Sequence, residues 1–120
     1  MHSISLFEKY GGFAALYPLV GEFYDAVLDS DIVSYIFEPI SMDLLIEHQT
    51  KFLAAIMGGP GEYNDEKLKS VHRKFEITET EWNEVVEILR NTFSNFEIEV
   101  DDIKTLTNLI NSKKTLIVTG

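Results

Sequence analysis

The sequence predicts an all-α domain, and three observations carry that expectation. Apolar residues recur at three- and four-residue steps between clusters of glycine and proline. Period-two alternation appears only briefly, around Phe96 to Val100. Thr78 with Glu81 has the Ser/Thr-x-x-Glu form that opens helices. A length of 120 residues fits one domain with a single core, spanning 1–120, and no internal repeat divides it.

The elements follow from the punctuation. After Gly11-Gly12, the residues Leu16, Leu19, Val20, Phe23, Tyr24 and Val27 form one apolar stripe. Pro18 lies inside that stripe, so either the first turn stands apart or the helix bends there, because proline lacks the amide hydrogen. Ile32 to Pro39 reads as a helical corner carrying Tyr35 and Phe37 inward, and Ser41 offers a cap for a helix over Met42 to Met57. On that helix Leu45, Phe52, Leu53 and Ile56 share a face with Gln49. Past the Gly58-Gly59-Pro60-Gly61 cluster, Leu68, Val71, His72 and Phe75 are the inward positions of a short helix around Asp65 to Lys74. The capping box then opens a helix with Trp82, Val85, Val86, Leu89 and Phe93 on its core side. A last helix from about Asp101 carries Ile103, Leu106, Leu109 and Ile110 inward, and the tail over 112–120 is expected to fray.

Composition removes several classes of function. Apolar residues are 45% and charged residues 25%, as in folded soluble domains. The net charge of −10 disfavours nucleic acid and anionic lipid, both of which need a basic face. With no cysteine, thiolate metal sites, disulfides and cysteine nucleophiles are excluded. No apolar run approaches the roughly 18 residues of a membrane span, and Met1 to Gly12 lacks the pattern of a secretory leader, so a cytoplasmic location is expected. Gly-x-Ser-x-Gly, phosphate-loop, His-Glu-x-x-His and dinucleotide motifs are all absent.

What remains is a small set of polar groups at core-facing positions: Tyr24, Gln49 and His72, with His48 at the edge of the Gln49 face. Burying an amide or imidazole without a partner costs about 1–3 kcal/mol, so these groups must satisfy one another or a ligand. Taken singly, each is explained as an ordinary satisfied core group. Lys67, Lys69, Arg73 and Lys74 around His72 form the densest basic cluster, which suits either a helix C-terminus or an anionic ligand beside the imidazole. Two imidazoles without a third ligand leave a zinc site incomplete.

The ordered set Leu6-Phe7-Glu8-Lys9-Tyr10-Gly11-Gly12, Phe23-Tyr24, Phe37, His48-Gln49, Phe52-Leu53, Gly58-Gly59-Pro60, His72 and Ile77-Thr78 resembles the truncated haemoglobins, most closely their group I. The likeness runs from about Leu6 to Ile110. It implies a two-over-two α-helical sandwich around one haem b per chain. His72 is then the proximal iron ligand, and Tyr24 donates a hydrogen bond to bound oxygen with Gln49 in support. The implied pocket is lined by Phe23, Phe37, Leu45, His48, Phe52, Leu53, Leu68, Ile77 and Trp82.

The resemblance implies reversible binding or transport of O2, NO and CO by a monomer. It extends to nitric oxide dioxygenation, which yields nitrate and leaves ferric iron for a reductase. Some cyanobacterial members carry a histidine that binds iron as sixth ligand where His48 stands, which opens a bis-histidine electron-transfer or redox-sensing role. Many members have glycine at Glu76 and phenylalanine at Trp82, so the shape behind the proximal histidine is expected to differ here. The rival from another class is a cofactor-free helical interaction domain.

Overall fold

The computed structural model describes residues 5–59 and 76–118. Seven helical elements lie among them: α1 (Leu6–Lys9), α2 (Phe13–Leu28), α3 (Ser34–Phe37), α4 (Met42–Ile56), α5 (Glu79–Asn95), α6 (Val100–Asn111) and α7 (Lys114–Ile117). Their arrangement follows from where the apolar stripes point. The α2 stripe is wide enough to face two neighbours, and α2 packs against both α4 and α5, while α5 also packs against α6. Pairs α2/α4 and α5/α6 thereby make a two-over-two sandwich with one continuous apolar core. Val20, Val27, Leu53, Phe93 and Leu106 lie at its centre, fully buried.

Helix α2 runs unbroken through Pro18, so its first turn is not a separate element. It starts at Gly12, whose φ of 65° belongs to the left-handed region and lets the chain turn sharply from α1. The box at the start of α5 is formed on both sides. Glu81 N–H donates to Thr78 Oγ1 at 3.2 Å, and Thr78 N–H donates to Glu81 Oε1 at 2.9 Å. Burial pushes the Glu81 carboxyl up, but hydrogen bonds from the Thr78 amide and the Tyr35 hydroxyl outweigh it and hold the group below its ordinary value.

Element α1 is tied at both ends. Phe7 N–H donates to the carbonyl of Met57 at 3.0 Å, which docks α1 on the end of α4. Lys9 Nζ reaches Glu99 at 2.8 Å and Asp102 at 2.7 Å at the start of α6, and the Tyr10 hydroxyl also donates to Asp102. The Lys9 ammonium, with the Tyr10 hydroxyl beside it, holds the Asp102 carboxyl below the usual range.

Four sequence expectations are corrected. Tyr35 does not point inward: it is 60% exposed, and Val33 and Ile36 fill the corner instead, because the short α3 turns its tyrosine outward to donate to Glu81. Ser41 occupies the N-cap position of α4 but makes no side-chain capping bond. Leu109 is 41% exposed, beyond the arc that α6 turns to the core through Leu106 and Ile110. The tail, where fraying is expected, forms α7 with Ile117 buried, and Val118 makes an isolated parallel bridge to Ile77. Among the described residues, no helix is long and apolar enough to cross a membrane.

Candidate functional site

Helical geometry divides α4 into two faces. At about 100° per residue, Ile46, Thr50, Leu53, Ala54 and the following Met57 fall within one arc, while Leu45, His48, Gln49 and Phe52 fall within another. Burial follows this division. Thr50, Leu53, Ala54 and Met57 are all buried, on the arc facing the core, whereas Leu45 and Gln49 are half-buried and His48 is exposed. Phe52 is buried although it lies on the second arc. Leu53, expected as a pocket residue, thus groups with the core face. Gln49 lies at the edge of the second arc that borders the core face, and His48 at the opposite edge, with Phe52 and Leu45 between them.

The other side chains of the site come from α2, α3 and α5. Tyr24 is 4% exposed on the inner stripe of α2. Its ring meets Phe23 edge to face at 4.9 Å and Phe37 at 5.8 Å, so the α3 corner is packed against the phenol-bearing helix. Ile77 and Trp82 are buried where the chain enters α5, and the indole Nε1–H donates to Asn111 Oδ1 at 3.1 Å at the end of α6. That partner explains how an indole sits in a mainly apolar wall without an orphaned donor. Asn111 was not foreseen, since nothing in the local sequence of α6 marks an asparagine at its last position as a partner for α5. The Tyr35–Glu81 bond and the Ser30 Oγ to Glu84 bond of 2.6 Å were missed for the same reason, and together they fasten the α2–α3 corner to α5.

His72 and Leu68 lie outside the described residues, as do Lys67, Lys69, Arg73 and Lys74. Glu76 has φ of 48°, in the left-handed region that glycine adopts freely and a residue with a Cβ adopts at a cost. The backbone here makes the turn for which glycine is expected, with a glutamate in its place.

The donor set suits a broad apolar cofactor with a polar centre. Phe52, Ile77 and Trp82 belong to the apolar core and Leu45 and Phe37 pack against it, while the half-buried face of α4 supplies one amide and one rim imidazole. The buried phenol of Tyr24 adds a hydroxyl on the neighbouring helix. An iron porphyrin, whose faces are apolar and whose ligand-binding chemistry is confined to its metal, fits such a set.

Comparison with known proteins agrees. A family model described as bacterial-like globin matches residues 5–118. The group 1 truncated hemoglobin of Tetrahymena thermophila is 31% identical over 98 residues, covering 82% of this chain and 79% of that protein. The protein of the same name from Tetrahymena pyriformis is 28% identical over 94 residues, covering 78% of each. Two solved structures share the fold. The Fe(III) form of truncated hemoglobin from Tetrahymena pyriformis superposes with a TM-score of 0.89 at 24% identity, covering 98% of this chain and 100% of that one. The 2/2 hemoglobin of Synechococcus sp. PCC 7002, in the cyanomet state and with covalently attached heme, gives 0.90 at 23% identity and the same coverage.

Proposed function

Because the chain belongs to the bacterial-like globin family, as a group I truncated haemoglobin, we propose that it binds O2, NO and CO reversibly at one haem b held by His72. Globins bind diatomic gases such as O2 with haem as cofactor, and the proposal specifies which side chains of this chain do the work. When bound, haem supplies an iron centre that takes diatomic gases reversibly.

His72 is the residue proposed to hold the iron, since a neutral imidazole is a strong nitrogen donor and the spacing of Leu68, Val71, His72 and Phe75 predicts an inward position for it. Tyr24 offers an O–H donor to a polar guest in the chamber, and the Gln49 amide a second donor from the α4 face. The observation that carries this reading is the burial of Tyr24 with its ring braced on Phe37: a phenol so held keeps its hydroxyl direction without further ordering cost. Leu45 and Phe52 share the α4 arc with Gln49, and apolar side chains beside that amide strengthen any hydrogen bond made there.

The same donors serve nitric oxide dioxygenation, for which the chain needs a separate reductase to restore ferrous iron. His48, exposed at the rim, reaches the iron only by turning inward from the α4 surface. In that state the ferrous, gas-free spectrum is six-coordinate, and His48→Ala makes it five-coordinate; a six-coordinate spectrum that survives His48→Ala excludes the role.

Titration of the purified chain with haem tests the proposal. One equivalent should saturate binding and give a sharp Soret band that shifts with CO. A folded protein that stays colourless in excess haem contradicts it.

A further inference from the structure

We infer that the Thr50 hydroxyl anchors a buried water in the seam between α2 and α4, and that this water tethers the helix segment bearing Gln49. Thr50 is 1% exposed, and its Oγ1 is the one buried side-chain polar atom among the described residues with no hydrogen-bond partner. Leaving a hydroxyl in that state costs about 1–3 kcal/mol, so a partner outside the protein's own atoms is required.

The way this chain treats three other helical threonines, each beyond the first turn of its helix, sharpens the point. Thr92 donates to the carbonyl of Ile88 at 2.8 Å, Thr105 to Asp101 at 3.1 Å and Thr107 to Ile103 at 2.7 Å, each using the carbonyl four residues back. Thr92, as deeply buried as Thr50, satisfies itself in this way. Thr50 has the same option at Ile46 and does not use it. Its hydroxyl therefore bonds nothing in its own helix, and the residue lies on the arc that faces the core. Helix α2 is the neighbour that packs most extensively against α4.

Water is the occupant such a site fits. A single hydroxyl can both donate and accept, and the Ile46 carbonyl, bonded within the helix, keeps a second lone pair for a bridging donor. An apolar guest would leave the hydroxyl as unsatisfied as before. Thr50 is adjacent to Gln49 and about 100° around the helix from it, so a water fixed at Thr50 sets the position of the turn from which the amide projects.

The test compares Thr50→Val, which keeps the shape and removes the hydroxyl, with Thr50→Ser, which keeps the hydroxyl, in the full chain loaded with haem. A high-resolution crystal structure should show a water within hydrogen-bonding distance of Thr50 Oγ1, lost in Thr50→Val and kept in Thr50→Ser. The melting temperature should fall in Thr50→Val and recover in Thr50→Ser. A dry seam, or a Thr50→Val protein as stable as the parent or more so, overturns the water.

The tether rests on the gas-binding reading, and the C–O stretching band of the carbonyl complex reads it. That band should shift in Thr50→Val and return in Thr50→Ser, and an unmoved band overturns the tether to Gln49. Failure to take up haem at all, with the water present in crystals of the unloaded chain, contradicts the gas-binding reading while supporting the seam water.

Discussion

Tyr24 and Phe37 meet edge to face, their ring centroids 5.8 Å apart and their planes at 63°. The positive edge of one ring lies against the negative face of the other, which fixes the phenol's direction from a separate element of the chain. Tyr24→Phe keeps this packing and removes only the hydroxyl. Loss of a hydrogen bond of about 1.5–3 kcal/mol should then speed O2 dissociation at least about tenfold. Stopped-flow ligand replacement measures the rate, and an unchanged value removes Tyr24 from the role. Phe37→Leu should raise the same rate less, by loosening the brace while sparing the hydroxyl.

Glu76 should be replaceable by glycine with a gain in stability. Its φ of 48° costs a residue with a Cβ about 1 kcal/mol, and glycine escapes that cost but is more flexible when unfolded. Glu76→Gly is therefore expected to raise the denaturation midpoint modestly, and Glu76→Val to lower it sharply. Urea titration of the three proteins checks the order.

Gly59 is required by a close approach rather than by its dihedral angle. A Cβ there would lie 2.7 Å from both Cδ1 and Cδ2 of the Phe7 ring. Gly59→Ala should cost about 1–3 kcal/mol as the ring is forced from its seat. Combined with Phe7→Ala, the second change should cost far less than it does alone, and a double-mutant cycle measures that coupling.

These cases show where the sequence is legible. The capping box, the α2 stripe and the helical spacing of α4 are written in local periodicity, so the all-α class and the inner positions of Tyr24 and Phe52 could be read directly, while the two-over-two arrangement followed only from the family resemblance. What brings separate helices together could not. Asn111 reaching Trp82, Tyr35 turning out to Glu81, and Lys9 bridging to Asp102 join residues 29, 46 and 93 positions apart. No local pattern encodes such pairs.

The Lys9–Asp102 link also predicts a pH dependence. Asp102 is held below its ordinary value of 3.8, so the folded state binds its proton less readily than the unfolded chain does. The associated stability is present above the unfolded value and is lost as pH falls through the lower folded one. Asp102→Asn should therefore lower the melting temperature at neutral pH, and the gap from the parent should close in strong acid. High salt should also narrow the gap, because the ammonium is partly exposed. Thermal melts at several pH values and two ionic strengths read both effects.

Resonance Raman spectroscopy of the ferrous, gas-free protein addresses the iron ligand itself. The account predicts a band from the stretch between iron and an imidazole nitrogen that is absent in His72→Ala and restored when free imidazole is added to His72→Gly. A band unchanged in His72→Ala, or haem held with no imidazole stretch in the parent chain, would contradict it.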